Sequence, residues 1–181
     1  MPAVSRSLTR ATQRFVSLDR AALLAARTRF HDARAERWVG AYSRLGEHGA
    51  CWLGLGAAGA LVDPRRRARW LRGVRVVTAA YGLNYAVKVS VQRRRPELPE
   101  LPPLTKTVSR LSFPSAHATT SFAGARAFAG LLPPAFVYVP ALAFAVSRPY
   151  LGVHYPADVI AGAALGTAVA GFWRAAAGRQ R

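Results

Sequence analysis

Five apolar runs, separated by short charged and proline-rich pieces, constrain the fold of this chain more than any other feature of its sequence. They cover residues 50–62, 73–91, 116–132, 134–146 and 157–173. A transmembrane helix needs roughly 20 apolar residues, so the shorter runs would depend on their flanks or on a locally thin bilayer. Five such runs leave little amphipathic surface for a soluble protein to show to water. The pattern therefore predicts an all-α polytopic membrane bundle with about five transmembrane helices; a soluble helical core is the alternative.

The balance of charge is strongly basic, with 26 Lys and Arg against 8 Asp and Glu and a formal net charge of +18. Such a charge predicts either a nucleic acid or an anionic membrane as partner. The arginines lie before and between the apolar runs, whereas a nucleic-acid-binding protein would carry them on an amphipathic soluble surface. We therefore expect a membrane and a lipid as partners, and no nucleic acid.

The first 47 residues differ from the rest and precede a membrane-embedded domain predicted for residues 48–176. They contain nine arginines and no run that is long and apolar enough for a signal peptide or a span. Arginines interrupt an apolar stripe that consists of Leu18, Ala21, Ala22, Leu24 and Ala25. We expect an amphipathic helix that lies on the membrane surface, drawn by anionic lipid; a partly disordered basic tail is the alternative.

Polar side chains stand at the ends of the predicted spans. In an antiparallel succession, Lys88 ends the second span and Ser115 opens the third. Arg148 follows the fourth span and Asp158 opens the fifth, so all four positions fall on the same face of the membrane. Ser115 is a typical N-cap, which places His117 in a first turn beside free N–H groups and the positive end of the helix dipole. The topology thus predicts an anion site at this face.

A histidine and a carboxylate flank the start of the last predicted helix. Pro156 suits the first helical position, so Asp158 lies in the opening turn and His154 just before it. The carboxylate can then accept the ring N–H of His154, orient the ring and raise the basicity of its other nitrogen. This arrangement favours His154 as a nucleophile.

The other residues at this face suit phosphoryl transfer, in which negative charge spreads over three equatorial oxygens. Lys88, Arg95 and Arg148 supply positive charge, and arginine can bind phosphate through two parallel hydrogen bonds. Ser115 and the N–H groups that follow it add neutral donors. A second histidine is needed on the opposite side of the phosphorus to protonate the leaving alkoxide, and His117 is the candidate.

Three segments, in this order along the chain, resemble the signature motifs of the type 2 phosphatidic acid phosphatase superfamily. They read KVSVQRRRP at residues 88–96, PSAH at residues 114–117 and SRPYLGVHYPAD at residues 147–158. The apolar runs on either side agree with the integral-membrane branch of that superfamily. One departure is Ala116, where the family usually has glycine. A methyl group fits a first helical turn, so we expect altered rather than lost activity.

The resemblance implies a phosphomonoesterase or diphosphatase that needs neither a metal nor a cofactor. His154 would attack phosphorus to give a phosphohistidine, and Asp158 would orient it. His117 would protonate the leaving group and then activate the water that hydrolyses the intermediate. The phosphoryl oxygens would be held by Lys88, Arg95, Ser115, Ala116, Ser147 and Arg148.

The same resemblance implies a lipid phosphate as substrate. The short length, the segment LDRAALLAARTR and the segment GEHGACW resemble actinobacterial members of the superfamily. Some of those remove phosphate from polyprenyl-linked intermediates of cell-wall synthesis, such as decaprenylphosphoryl phosphoribose, which is the leading expectation. Undecaprenyl diphosphate, phosphatidic acid and phosphatidylglycerol phosphate are the alternatives, and a non-catalytic lipid-binding membrane protein is a remote one. The oligomeric state is left open.

The membrane face of the site depends on which charges are counted. The family usually presents its site on the extracytoplasmic side, which is the face that we expect for this multi-pass protein of the cell membrane. Positive residues mark the cytoplasmic side. The full count of arginines and lysines favours a cytoplasmic site, whereas the count without the first 47 residues favours an extracytoplasmic one.

Three further arginines have less defined roles. Arg93 and Arg94 are expected to belong to a solvated or lipid-facing cluster. Arg126 lies within a predicted span, where a charge is costly and is usually paired or faces a cavity. The sequence names no partner for it.

Overall fold

The computed structural model describes residues 2–178, and within them the chain forms seven α-helices and no β-strand. The helices are α1 (Pro2–Thr28), α2 (Ala33–Leu45), α3 (Ala50–Val62), α4 (Arg67–Val91), α5 (Ala116–Phe128), α6 (Pro134–Tyr150) and α7 (Pro156–Gly178). Two short 3-10 helices, Glu47–Gly49 and Pro64–Arg66, precede α3 and α4. The all-α architecture predicted from the apolar runs is confirmed.

Helix α5 lies in the middle of the bundle, where it contacts α4, α6 and α7. Most of its side chains are buried, although several of them are polar. The hydroxyl groups of Thr119 and Thr120 donate to the carbonyls of Ser115 and Ala116, each at 3.0 Å. Because these hydroxyls are satisfied within their own helix, burying them costs little. The first turn of α5 is thereby fixed at the centre of one end of the bundle.

Glycines allow α7 to approach the backbone of α5. Gly162 and Gly166 face α5, and a Cβ atom at Gly166 would collide with the carbonyl oxygen of Thr119. Close approach through small residues is typical of helices that pack within membranes. It brings the first turn of α7 to the start of α5, where the N–H of Ser115 donates to the carbonyl of Asp158 at 2.9 Å.

The boundaries of the apolar runs are not those of the helices. Helix α4 begins at Arg67, before its run, and α5 ends at Phe128, before the end of its run. Helix α6 continues to Tyr150, so the expectation that Arg148 follows this helix is wrong. The helix persists because the N–H of Leu151 donates to the carbonyl of Ser147 at 2.9 Å and closes the last turn.

The N-terminal region forms two helices, α1 and α2. The carboxylate of Asp32 caps α2 by accepting two N–H groups of its first turn, at 2.8 and 2.9 Å. The expected apolar stripe on α1 is exposed at Leu18 and Leu24, as a stripe that faces a membrane would be, whereas the neighbouring Leu23 is completely buried. Helix α1 contacts α6 and α7, and this packing turns Leu23 inward.

One helical segment in the described residues, Pro156–Trp173, is long and apolar enough to cross a membrane by length and composition. Four helices of the bundle also expose large apolar side chains, among them Leu61, Leu83, Phe136, Leu142, Ile160 and Phe172. Extensive exposed apolar surface is typical of a membrane or partner contact. These features indicate a membrane protein, and the count of five spans stays a prediction.

Candidate active site

The ends of four helices enclose a cavity of about 140 Å³. The lining comes from the C-terminal parts of α4 and α6, the first turn of α5 and His154, just before α7, together with residues 47–48 and 106–109. The predicted site residues that line this cavity are Lys88, Arg95, Ala116, His117, Arg148 and His154. The other three, Ser115, Ser147 and Asp158, are buried in the wall behind it. A water molecule occupies about 30 Å³ in the liquid, so the cavity suits a phosphate group rather than a lipid chain.

Backbone carbonyls hold two of the three predicted cations. Lys88 donates from Nζ to the carbonyl of Pro114 at 3.0 Å. Arg95 donates to the carbonyls of Ser109 and Val153 at 2.8 and 2.6 Å. Burial lowers the pKa of Arg95 to about 10, so it is protonated at neutral pH. A carbonyl dipole fixes a cation without cancelling its charge, and the charge stays available to a ligand.

Ser43 of α2 holds the third cation, although no sequence pattern pointed to it. Its hydroxyl accepts a hydrogen bond from Nη1 of Arg148 at 2.6 Å and lies 3.2 Å from the hydroxyl oxygen of Ser147, whose own hydrogen is donated to the carbonyl of Phe144 at 2.7 Å. Its carbonyl oxygen lies 3.0 Å from Nε2 of His117. A carbonyl can only accept, so Nε2 carries a proton, and Nδ1 is the nitrogen that can exchange a proton with a ligand.

His154 lies between Arg95 and Asp158. Nη1 of Arg95 is 3.1 Å from Nε2 of His154, and Oδ2 of Asp158 is 3.6 Å from Nδ1. An arginine can only donate, so Nε2 carries the lone pair and the proton lies on Nδ1, toward the carboxylate. The distance of 3.6 Å exceeds that of a hydrogen bond. The structure thus brings the pair together without the direct bond that the sequence analysis expected; such bonds often tighten when substrate binds.

Burial keeps His154 in its neutral form. The residue is 2% exposed. Burial, together with the charges of Arg95, Arg148 and Lys88, holds the pKa of His154 well below its usual value near 6.5. Each of these effects disfavours the imidazolium ion. A neutral imidazole whose Nε2 lone pair faces the cations is the form that can attack a phosphorus atom.

Arg93 connects Asp158 to α1 through two ion pairs. The expectation that Arg93 belongs to a solvated or lipid-facing cluster is therefore wrong. The terminal nitrogens of Arg93 lie 2.7 Å from Oδ1 of Asp158 and 2.8 Å from Oδ2 of Asp19. The other oxygen of Asp19 accepts the backbone N–H of Ala157 at 2.9 Å. Burial lowers the pKa of Arg93, but the hydrogen bond to Asp19 and the charge of Asp158 outweigh burial, so the pKa is raised.

Two predictions about helix starts are confirmed. Ser115 is the N-cap of α5, with its hydroxyl accepting from the N–H of Ala118, and Pro156 is the first residue of α7. His117 therefore lies in the first turn of α5, as expected. Among residues 2–178, no group of three or more His, Cys, Asp or Glu side chains stands close enough together to hold a metal ion.

The tautomer and the pKa of His154 can be measured by nitrogen-15 NMR of histidine-labelled protein in phosphate-free detergent. Because burial and three cations disfavour the imidazolium, we expect a neutral ring with its proton on Nδ1 and no titration between pH 8 and 5.5. His154→Asn assigns the resonance. Protonation with a midpoint near 6.5, or a proton on Nε2 at neutral pH, would contradict this description of the site.

The chain is similar to known proteins over most of its length. Residues 70–181 match the family model described as the PAP2 superfamily. Over 125 residues the chain is 44% identical to the decaprenylphosphoryl-5-phosphoribose phosphatase of Mycolicibacterium smegmatis. The aligned region covers 67% of this chain and 68% of that protein. The protein of the same name from Mycobacterium tuberculosis (strain CDC 1551 / Oshkosh) is also 44% identical, over 70% of this chain and 72% of its own length.

Two solved structures share the fold. The transmembrane PAP2 type phosphatidylglycerolphosphate phosphatase from Bacillus subtilis has a TM-score of 0.76 and 24% identity, covering 93% of this chain and 88% of that one. Aquifex aeolicus LpxE has a TM-score of 0.69 and 20% identity, covering 86% of this chain and 94% of that one. With a family model over most of its length and relatives at 44% identity, the chain belongs to the PAP2 superfamily and is a phosphatase.

Proposed function

We propose that the protein removes the terminal phosphate from a phosphosugar carried on a polyprenyl lipid, with decaprenylphosphoryl-5-phosphoribose as the leading substrate. The observation that carries the proposal is the set of three cations, buried Lys88 and Arg148 and half-buried Arg95, around a cavity of phosphate size. The relatives from Mycolicibacterium smegmatis and Mycobacterium tuberculosis are named for this substrate. Undecaprenyl diphosphate, phosphatidic acid and phosphatidylglycerol phosphate are the alternatives.

The polar mouth of the cavity favours a sugar next to the phosphate. Apart from the cations and the two site histidines, the lining includes the polar side chains of Glu47, His48, Tyr81, Tyr85, Thr107 and Ser109. Nδ1 of His48 lies 2.7 Å from the hydroxyl of Tyr81, so these two side chains are already oriented. Ribose hydroxyls can form hydrogen bonds with such groups, whereas the acyl-glycerol part of phosphatidic acid has no free hydroxyl to offer.

The reaction would take place in two steps at one phosphorus atom. His154 forms a bond from Nε2 to phosphorus while the bond from phosphorus to the ribose oxygen breaks. His117, which takes up a proton on Nδ1 when the phosphate anion binds and is then protonated on both nitrogens, gives that Nδ1 proton to the ribose oxygen. His117 then removes a proton from water, whose oxygen displaces His154 and releases phosphate. Lys88, Arg95 and Arg148 stabilise the charge on the phosphoryl oxygens in both steps.

The remaining predicted residues would support this chemistry from behind. The carboxylate of Asp158 faces the Nδ1 proton of His154 and stabilises the positive charge that develops on the ring during attack. Ser115 caps α5 and leaves the N–H groups of its first turn, beginning at Ala116, to face an anion. Ser147 would act at the edge of the phosphate site through its contact with Ser43. These steps use no metal and no cofactor.

Phosphate release by purified protein in detergent, with EDTA present, tests this proposal. We expect turnover to survive EDTA, to be greatest on decaprenylphosphoryl-5-phosphoribose, and to fall by about 10⁴-fold or more in His154→Ala because the nucleophile is lost. The panel includes undecaprenyl diphosphate, phosphatidic acid and phosphatidylglycerol phosphate.

Tyr81→Phe tests whether the mouth of the cavity recognises the ribose, with phosphatidic acid as the control substrate. It removes one hydroxyl at the mouth, so KM for the phosphoribose lipid should rise about fivefold, the value of one hydrogen bond, with KM for phosphatidic acid unchanged. Activity that is untouched in His154→Ala would overturn the nucleophile. A preference for phosphatidic acid in both proteins would overturn the substrate.

The charge distribution of this chain and the family resemblance favour different membrane faces for the site. The resemblance predicts the extracytoplasmic face. However, Asp19 of α1 and Ser43 of α2 contact site residues, so the N-terminal region with its nine arginines lies on the side of the site. Positive charge marks the cytoplasmic side of short flanking segments. The charge distribution belongs to this chain itself, and we therefore propose a multi-pass protein with a cytoplasmic site.

Cysteine labelling distinguishes the two faces. In a Cys51→Ser background, Val108→Cys places a thiol at the mouth of the cavity, where Val108 is 83% exposed. Arg65→Cys places one at the opposite end. With a membrane-impermeant maleimide we expect Arg65→Cys to react in intact cells and Val108→Cys to react only after permeabilisation. The reverse order would place the site on the extracytoplasmic face.

A further inference from the structure

A second cavity, of about 100 Å³, lies at the opposite end of the bundle and is lined by three arginines. Arg69 and Arg72 come from the start of α4, and Arg126 comes from the last turn of α5. Arg69 is anchored by a hydrogen bond from Nη2 to the carbonyl of Gly130 at 2.8 Å. Nε of Arg126 is buried and has no hydrogen-bond partner in the described part of the chain.

No carboxylate neutralises this cluster from within its cavity. All eight acidic residues belong to the described part of the chain, and none of them lines the cavity. Asp63, which precedes α4, instead accepts hydrogen bonds from Arg66 and Trp70. The carbonyl end of α5 contributes only about half of one negative charge. Three guanidinium groups therefore share one small space in which a negatively charged ligand would relieve their mutual repulsion.

Two glycines beside the guanidinium groups leave these groups accessible. A Cβ atom at Gly171 would lie 3.5 Å from both Nε and Nη2 of Arg126, and one at Gly130 would lie 2.9 Å from Nη2 of Arg69. Guanidinium groups recognise phosphate through paired hydrogen bonds. Trp173 also lines the cavity, and tryptophan is typical of helix ends at headgroup level.

We infer that Arg69, Arg72 and Arg126 form a second anion site, distinct from the catalytic cavity, for a phosphate-bearing ligand. An anionic phospholipid headgroup and free phosphate share this chemistry. The site gives Arg126 the polar environment that a charge at this depth requires.

Fluorescence of Trp173 reports on this cavity independently of turnover. The wild-type signal minus that of Trp173→Phe is followed in detergent during titration with dihexanoyl phosphatidylglycerol, dihexanoyl phosphatidylcholine or inorganic phosphate. We expect saturable binding of phosphatidylglycerol, with Kd raised at least tenfold in Arg126→Gln and unchanged in the matched control Arg65→Gln. Arg72→Gln is the second variant if Arg126→Gln does not fold.

The arms of this experiment separate the two ligand sources. A response to phosphatidylglycerol alone that depends on Arg126 identifies a lipid headgroup, and an Arg126-dependent response to inorganic phosphate as well identifies phosphate itself. Equal binding of phosphatidylcholine, or titrations that neither Arg126→Gln nor Arg72→Gln changes, would overturn the site. Because no catalytic step is measured, this result does not depend on the proposed function.

An independent observation concerns Asp19 of α1, which lies outside the matched family region of residues 70–181. Asp19 is 6% exposed and its carboxylate uses both oxygens, one for Arg93 at 2.8 Å and one for the N–H of Ala157 at 2.9 Å. Arg93 in turn donates to Asp158 at 2.7 Å. The guanidinium of Arg93 also lies over the ring of Tyr155, 4.1 Å from its centroid.

This chain of contacts restrains Asp158 from behind. Arg93 alone would be free to pair fully with Asp158 and neutralise it. Asp19 competes for the same guanidinium and also anchors the first turn of α7, on which Asp158 is carried. We propose that Asp19 is a positioning residue that acts through Arg93 on Asp158 and thereby on His154; this rests on the proposed role of His154.

Hydrolysis of para-nitrophenyl phosphate tests the proposal, because nitrophenolate leaves without a proton and the rate reports on attack by His154. Loss of a supporting carboxylate behind a reacting group typically costs 10–100-fold. We expect Asp19→Asn to lower kcat about tenfold with KM unchanged, because Asp19 does not line the cavity. The double variant Asp19→Asn/Arg93→Gln should be no slower than Arg93→Gln alone.

Asp63→Asn is the matched control, since Asp63 is also held by an arginine but lies at the other end of the bundle. If Asp19→Asn does not fold, Arg93→Lys is expected to lower kcat similarly, because lysine lacks the fork that reaches two carboxylates. Multiplicative losses in the double variant, or an equal loss in Asp63→Asn, would overturn the proposal. Activity that is unchanged in His154→Ala would instead overturn the proposed nucleophile.

Discussion

The candidate active site depends on holding its three cations with neutral oxygen atoms instead of carboxylates. Lys88 and Arg95 donate to backbone carbonyls, and Arg148 donates to the hydroxyl of Ser43. A buried ion pair would satisfy such groups but would leave no net charge for a substrate. Carbonyl and hydroxyl dipoles orient the cations and let their charges add in a poorly hydrated space. A phosphate that enters finds donors already in place, so little reorganisation is needed as charge develops on its oxygens.

The two signs of charge are separated across His154. The cations stand in front of the ring, on the side of Nε2, and Asp158 stands behind it, on the side of Nδ1. Arg95 fixes the tautomer, because an arginine can only donate to Nε2, and this leaves the proton of His154 on Nδ1, on the side of the carboxylate. Asp19 and Arg93 continue the pattern behind Asp158. The carboxylates of Asp158 and Asp19 thus lie behind His154, on the side of the ring opposite Nε2.

Local patterns made the helices and the centre of the site predictable, whereas long-range contacts were beyond them. The apolar runs, the cap at Ser115 and the proline at Pro156 are local signals, and the antiparallel order of helices is enough to bring their ends together. The roles of Asp19 and Ser43 depend on contacts with residues more than 70 positions away, and neither residue stands in a periodic pattern. The position of Arg93 also depends on a long-range contact of the folded chain. Arg94 pairs with Leu111 in an isolated bridge, so the chain is extended there and residues 93 and 95 point to the same side.

The first turns of α5 and α7 lie level with each other, and partners for the side chains around them come from the N-terminal region. The N–H of Ser115 donates to the carbonyl of Asp158 at 2.9 Å, which fixes the two helix starts side by side. Helix α1 supplies Asp19, which binds Arg93, and α2 supplies Ser43, which accepts a hydrogen bond from an arginine of α6. The domain boundary at residue 47 stays a prediction, and it would separate Asp19 and Ser43 from the groups that they hold.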